Sequence, residues 1–201
     1  ILVSSVEMGQ GATVMFTSIA ADTLGLPVDM FRHSLPDTAR VPDSGPTVAS
    51  RTTMYVGKLV MEASRKMMRK LMEFASRISS VEMEQWKLKD GWFFCNDRKQ
   101  YTFREIGMRY LRESGPLYGE ATYYPLPGDH WCDRTFSGEA YRSYSWGADV
   151  TEVEVDMDTY EIRPVKLTSL AEIGRVINVT SATGQVEGGS LQGLGYAYLE
   201  D

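Results

Sequence analysis

The sequence predicts an α+β fold, mixed sheets with packed helices, and three observations carry that expectation. Apolar residues recur at helical spacing over a long central stretch, from about Ser50 to Arg77. Apolar and charged residues alternate with a period of two around Glu152 to Met157, as in a half-buried strand. Turn chemistry separates such stretches, with Gly25 and Pro27 closing the first helical pattern and Lys89-Asp90-Gly91 interrupting a strand pattern. Hydrophobic residues make up 43% and charged residues 24% of the 201 positions, a balance that supports a packed core and argues against disorder. The expected organisation is one domain fragment over residues 1–201, with lobes 1–80 and 81–201 as a further division.

The elements follow in order. Residues 1–6 are apolar and suit a strand that enters the loop Glu7-Met8-Gly9-Gln10-Gly11. From Ala12 to Leu24, Met15, Ile19, Ala20 and Leu24 lie near helical spacing. Phe31 to Leu35 is expected as a second strand, and residues 36–47 as a turn-rich loop. In the long helix Val56, Val60, Ala63, Met67, Leu71, Ala75 and Ile78 share one face. Arg65, Lys66, Arg69, Lys70 and Arg77 fall mostly elsewhere and read as a solvated face. Trp86 to Cys95 reads as a hairpin, and Thr102-Phe103-Arg104-Glu105 as a capping box that opens a helix to about Arg112, closed by Gly115. Tyr118 to Tyr124 and Ala140 to Asp156 alternate as strands. In the second of these, Val153, Val155 and Met157 face one way and Glu152, Glu154 and Asp156 the other. A turn at Asp158-Thr159-Tyr160-Glu161 leads into a strand from Ile162 to Leu170, and Gly184 to Leu199 reads as a closely packed helix.

Composition and charge disfavour several function classes. A net charge of −6 and a pI near 5.1 argue against nucleic acid as a partner. No apolar run approaches the roughly 20 residues of a membrane helix. Ile1-Leu2-Val3-Ser4-Ser5 reads as a strand cut into, not as a signal peptide, and native sequence is expected beyond both ends. The two cysteines, Cys95 and Cys132, are too few for an iron–sulfur cluster, and two buried thiols in a reducing cytoplasm are expected rather than a disulfide. His33 and His130 have no partners spaced for zinc, so no metal ligand is assigned. His130, in the polar loop Gly128-Asp129-His130-Trp131, reads as incidental.

Three segments carry chemistry. Gly9-Gln10-Gly11 lies between a strand and a helix start, where glycines admit close approach and exposed N–H groups favour an anion. Taken alone it is a short glycine turn, neither G-x-G-x-x-G nor a P-loop. Thr47-Val48-Ala49-Ser50-Arg51-Thr52-Thr53 places four hydroxyls and an arginine where the long helix begins. Its plainer reading is an N-cap from Ser50 or Thr47, and its sharper one a nest for phosphate oxygens. Gly184-Gln185-Val186-Glu187-Gly188-Gly189 sets an amide among small residues, suited either to tight helix packing or to the edge of a heterocycle.

In this order, these segments resemble the molybdopterin-binding large subunit of the xanthine dehydrogenase and aldehyde oxidoreductase family of molybdenum hydroxylases, in its C-terminal half. Asp43-Ser44-Gly45-Pro46 extends the second segment, and Thr122-Tyr123-Tyr124-Pro125, Tyr144-Ser145-Trp146-Gly147-Ala148, Glu152-Val153-Glu154-Val155-Asp156 and Gly193-Leu194-Gly195-Tyr196 add lesser matches. The resemblance covers nearly the whole chain and is weakest between about residues 62 and 117. It implies that Gly9, Gln10 and Gly11 contact the pterin and its phosphate. It implies that Ala49, Ser50, Arg51, Thr52 and Thr53 line the pyrophosphate and dinucleotide end, and that Gln185 hydrogen-bonds the pterin system. The implied cofactor is molybdopterin with molybdenum, in the cytosine dinucleotide form.

The same resemblance implies an oxidoreductase that hydroxylates purines, other N-heterocycles or aldehydes. Iron–sulfur clusters and FAD would sit on other domains or subunits, and the rest of the molybdopterin-binding subunit would be a partner. The family's active-site glutamate belongs to a G-x-K-G-x-G-E motif, and an F-G-G-K segment faces metal and substrate. Neither motif occurs among these residues, so no catalytic residue is assigned and the piece by itself is expected to be inactive. A non-catalytic scaffold or split subunit that keeps the fold is the alternative. Ile177-Asn178-Val179 stands where relatives usually read I-N-P, and Glu172 replaces a frequent Asp.

Overall fold

Helix α2 (Lys58–Ser79) organises the first of two compact units, residues Ile1–Tyr124. Its 22 residues give a rod of about 33 Å, long enough to serve two separate apolar clusters. A computed structural model describes residues 1–124, 131–139, 141 and 143–200. His130 and Pro125 of the sequence reading lie outside these residues, as do Ala140 and Arg142 of the predicted strand.

At the beginning of the helical run, Val56 and Val60 pack with Val3, Ala12, Met15, Phe16 and Ala20, so that α1 (Ala12–Leu24) lies against it. Further along, Leu71, Phe74 and Ala75 join Trp86, Phe93, Cys95 and Ile106. These come from a three-stranded antiparallel sheet of β1 (Trp86–Lys89), β2 (Trp92–Cys95) and β3 (Arg98–Thr102), and from α3 (Phe103–Ser114). The predicted apolar stripe of α2 is thus the face that is buried or half-buried, from Val56 to Ile78. Residues 80 and 81, where the sequence suggests a lobe boundary, lie within this first unit.

Local chemistry explains the ends of these elements. Gly25 takes the left-handed conformation (φ 62°) and the Leu26 amide bonds back to the Ala21 carbonyl at 3.1 Å, closing α1. Asp90 (φ 49°) and Gly91 (φ 77°) make the two-residue turn of the β1–β2 hairpin. Thr102 and Glu105 cap α3 reciprocally: the Glu105 amide donates to Thr102 Oγ1 at 3.1 Å, and the Thr102 amide to Glu105 Oε2 at 2.7 Å.

Three expectations are corrected in this unit. Residues 1–6 and 31–35 form no regular strands. They run side by side through two bonds only, from the Ile1 amino group to the Arg32 carbonyl and from the Ser34 amide to the Ile1 carbonyl. Tyr118 to Tyr124 is not a strand either, because its backbone lies against α2 instead of a neighbouring strand. Lys66 and Lys70 donate to the Glu120 and Tyr118 carbonyls, both at 2.9 Å, and a Cβ on Gly119 would stand 2.0 Å from the Ala63 carbonyl oxygen. Two residues of the stripe read as solvated therefore hold a chain segment in place.

The second unit, Pro125–Asp201, is built differently. Its described elements are a short ribbon of β4 (Trp131–Cys132) and β5 (Ser137–Gly138), a long hairpin of β6 (Trp146–Val155) and β7 (Ile162–Glu172), and α4 (Val179–Tyr198). The hairpin pairs in register from Trp146↔Glu172 to Glu152↔Lys166 and then shifts by one, so that Val153 faces Pro164. Proline lacks the N–H that a regular ladder needs, and it sits at this irregularity. Glu152–Lys166 at 3.3 Å and Glu154–Arg163 form cross-strand ion pairs.

No described residue of this unit is buried. Of the predicted face Val153, Val155 and Met157, the first two lie in β6 and Met157 lies in the turn after it, and all three are exposed. Helix α4 begins at Val179, earlier than expected, because Asn178 caps it by accepting from the Ser181 amide at 2.8 Å. Its glycines are not closely packed: a Cβ on Gly184, Gly188, Gly189 or Gly193 would meet nothing within 4 Å. Cys132 is likewise exposed, not buried as expected, while Cys95 is buried; both are free thiols.

Candidate functional site

The loop before α1 is shaped by Glu7. Its Oε1 accepts from the amides of Gly9 and Gly11, and its Oε2 from the amide of Thr13, each at 2.9 Å. These bonds, that from Thr13 foremost, hold the Glu7 carboxyl below its ordinary range. Gly9 and Gly11 both have positive φ, 109° and 83°, which lets the backbone curl around the carboxylate. Gln10 folds onto the same loop, its Oε1 accepting from the Met8 amide at 2.7 Å and its Nε2 donating to the Val6 carbonyl at 2.9 Å. Nothing stands within 4 Å of the position a Cβ on Gly9 would take.

The start of the long helical run has the opposite character. Thr52–Gly57 forms a π-helical turn ahead of α2, with no side-chain cap hydrogen bond. Such turns recur at functional sites. Ala49, just before it, has a φ of 43°, a left-handed conformation unusual for a residue with a Cβ. Thr52 is 6% exposed, and its Oγ1 is buried with no hydrogen-bond partner among the described residues. A buried hydroxyl without a partner costs on the order of 1–3 kcal/mol. Ser50 and Thr53 are exposed.

Neither residue singled out as a cap acts as one. Thr47 Oγ1 accepts instead from the Val6 amide at 3.0 Å, and Ser50 Oγ makes no cap. Arg51 turns back over the preceding loop, its Nη1 donating to the carbonyls of Ser44 at 2.8 Å and Pro46 at 3.1 Å. Its guanidinium lies where a Cβ on Gly45 would be, 2.3 Å from Nη2, so a side chain there would push the Arg51 head group aside, and the φ of 71° favours glycine in any case. Ser4 and Ser44 exchange amide-to-hydroxyl bonds at 2.9 and 2.7 Å.

Together with the Val6–Thr47 bond, these contacts lash the approach to α1 onto the approach to α2. The structure thus joins the segment just ahead of Gly9, Gln10 and Gly11 to the loop just ahead of Ala49, Ser50, Arg51, Thr52 and Thr53. Packing of α1 on the π-helical turn, where Met15 shares a cluster with Val56, fixes the arrangement from beneath. His33 stacks on Phe16 at 5.6 Å, and burial foremost pushes its pKa down.

Gln185 belongs to the second unit. It lies on α4 beside a cleft of about 500 Å³ between that helix and the β6–β7 hairpin, lined also by Asp149, Ser169 and Ser190. Ser169 Oγ donates to Ser190 Oγ at 2.8 Å, and Ser190 Oγ to Asp149 Oδ1 at 3.1 Å, so a polar chain fastens the helix to the hairpin. Among the described residues no group of three or more His, Cys, Asp or Glu is placed to hold a metal ion. No described helix is long and apolar enough to cross a membrane.

Sequence reasoning missed Glu7 as the residue that organises the glycine loop. The available signal was a carboxylate ahead of two glycines at a helix start, where N–H groups need an acceptor. It also missed Ser4 and Ser44, whose pairing depends on a contact across 40 residues.

Known proteins resemble this chain over nearly its whole length. A family model described as the molybdopterin cofactor-binding domain matches residues 1–201. Xanthine dehydrogenase/oxidase of Felis catus is 28% identical over 195 residues, 97% of this chain and 13% of that protein. A probable xanthine dehydrogenase component from Bacillus subtilis is 28% identical over 201 residues, 97% of this chain and 25% of that protein. The chain therefore spans between about an eighth and a quarter of these relatives. Among solved structures, quinoline 2-oxidoreductase from Pseudomonas putida 86 shares the fold at a TM-score of 0.77 and 23% identity, over 95% of this chain and 24% of that one. A Cu,Mo-CO dehydrogenase does so at 0.76 and 24%, over 92% and 22%. With the family model covering its whole length, the chain belongs to the molybdopterin cofactor-binding domain family.

Proposed function

We propose that this chain is the cofactor-holding portion of a molybdenum hydroxylase, an oxidoreductase of the xanthine dehydrogenase type. The match of the molybdopterin cofactor-binding domain model over residues 1–201 carries the reading. The Thr52 hydroxyl, which like Ser5 Oγ, His33 Nε2 and Trp86 Nε1 is buried without a partner among the described residues, lies at an uncapped helix start in the segment concerned. A folded protein tolerates such an atom where a ligand completes it. Molybdopterin in its cytosine dinucleotide form offers the acceptor oxygens that this place lacks.

In this reading Ala49, Ser50, Arg51, Thr52 and Thr53 hold the pyrophosphate end, with Arg51 bringing its charge while it braces the 44–46 loop. Gly9, Gln10 and Gly11 admit the pterin closely, and Gln185 supplies a donor and an acceptor to the heterocycle. When bound, the molybdenum centre supplies two-electron redox chemistry and activates water. The residues of this chain bind and orient; none takes a proton.

Electrons leave through iron–sulfur clusters and FAD on other domains or subunits, since two cysteines cannot ligate a cluster here. The substrate is a purine, another N-heterocycle or an aldehyde. The rest of the molybdopterin-binding subunit covers the exposed apolar residues of the second unit, and the enzyme works in the cytoplasm. The test is elemental and nucleotide analysis of the complete enzyme purified from its own host. Molybdenum and released cytidine monophosphate, each in proportion to this chain, are expected. An active enzyme with neither would overturn the reading.

A further inference from the structure

Glu7 spends its carboxylate on the backbone amides an anionic ligand would otherwise use. Gly9, Gly11 and Thr13 all donate to it at 2.9 Å, and Thr13 is in the first turn of α1. The N-terminal N–H groups of a helix attract anions, and here a side chain of the protein has filled that role. A phosphate brought to the same place would meet a second negative charge within a few ångströms, which is unfavourable in any solvent. The start of α2 has no such occupant. Gln10 is spent on the Met8 and Val6 backbone, so the loop is braced twice, once by charge and once by an amide.

We propose that Glu7 is a positioning residue of the cofactor loop: its carboxylate closes the start of α1 to phosphate and fixes Gly9-Gln10-Gly11 in the curl that faces the pterin. This inference rests on the cofactor reading above and divides the site. The anionic part of the cofactor goes to Ser50–Thr53, and the glycine loop serves as a shaped neutral wall. The lowered pKa of Glu7 agrees with a carboxylate that stays charged under these amides.

The experiment uses the complete enzyme as wild type, Glu7→Ala and Glu7→Asp, reading two quantities. The first is molybdenum per chain after exhaustive dialysis. The second is hydrogen exchange at the amides of residues 9–13, with and without excess inorganic phosphate. Exchange over Met15–Leu24 reports in parallel whether α1 remains folded.

In Glu7→Ala, molybdenum should fall about ten-fold, the worth of charged hydrogen bonds lost from one side chain. Glu7→Asp keeps the charge on a shorter arm and should lie between. Phosphate should slow exchange at residues 9–13 in Glu7→Ala, where the amides are released, and leave the wild type unchanged. Full molybdenum in Glu7→Ala, equal phosphate protection in the wild type, or no protection in the variant would each overturn the proposal. A wild-type enzyme without molybdenum would instead sink the cofactor reading, and the phosphate arm would still judge Glu7.

Discussion

Helix α1 begins with three backbone amides held by the carboxylate of Glu7, whereas the run into α2 begins with no cap, a left-handed Ala49 and a buried Thr52 hydroxyl that bonds to nothing among the described residues. The approaches to the two starts are joined through Val6 and Thr47. A third helix of the same unit, α3, shows how the fold finishes a helix with no other duty, with Thr102 and Glu105 satisfying each other. Against that standard the α2 start is incomplete, and the α1 start is complete by means of a residue four positions ahead of its N-cap. The contrast teaches where to look for a ligand: at the end the protein has left unfinished.

Substitutions at each end sharpen or break this contrast. The largest effect is expected for Gly45→Val, which forces a β-branched residue into a φ of 71° and into the space of the Arg51 guanidinium. It should cost about 2 kcal/mol in urea unfolding of the protein, from backbone strain, since the Arg51 head group can swing aside. Next comes Thr52→Val, which removes the partnerless hydroxyl at nearly constant shape. It should stabilise the cofactor-free protein by about 1 kcal/mol while lowering its molybdenum content. A loss on both counts would mean that the hydroxyl is satisfied within the fold.

Thr102→Ala should cost about 1 kcal/mol by denaturation and leave the molybdenum content alone, because the α3 cap has only a structural role. If it moves cofactor content as much as Thr52→Val does, the contrast between the helix starts carries no functional meaning. The smallest effect is the pH response of the α1 start. Glu7 has a folded pKa below its ordinary 4.5, so its contribution to loop order is present above that value and lost as pH falls through the folded pKa. Amide shifts of Gly9, Gly11 and Thr13 would follow this acid step, and Glu7→Asp should move its midpoint. His33 feels the Glu7 charge, so its ring resonances should register the same step.

Legibility in the sequence tracked the range of the interactions involved. The α3 capping box, the Asp90-Gly91 turn and the Gly25 stop were readable because each is decided within a few residues. The buried stripe of α2 was readable because helical periodicity is strong over a long run. The strand expected over Tyr118–Tyr124 failed because its alternation reflects contacts with α2, and Lys66 and Lys70 look solvated until a chain segment is placed over them. In the second unit the predicted alternation reaches only Val153 and Val155, because the strand ends at Val155 and Met157 falls in the turn, and all three are exposed.

The departure at Ile177-Asn178-Val179 also becomes intelligible. Asn178 is the N-cap of α4 and Val179 its first residue, the position where proline is favoured but not required. For the candidate site, the residue types and their order were readable. Which atoms were already engaged was not, since Thr47, Arg51 and Gln10 all turn out to bind backbone of neighbouring loop residues.

The unfinished start of α2 is the feature on which the placement of the cofactor stands or falls. Its most direct test is a crystal structure of the complete enzyme with its cofactor, resolved well enough to place the phosphates. We expect a phosphate oxygen within hydrogen-bond distance of Thr52 Oγ1, with the amides of Gly9, Gly11 and Thr13 still on Glu7. A cofactor phosphate on those α1 amides, with Thr52 left unpartnered, would contradict it.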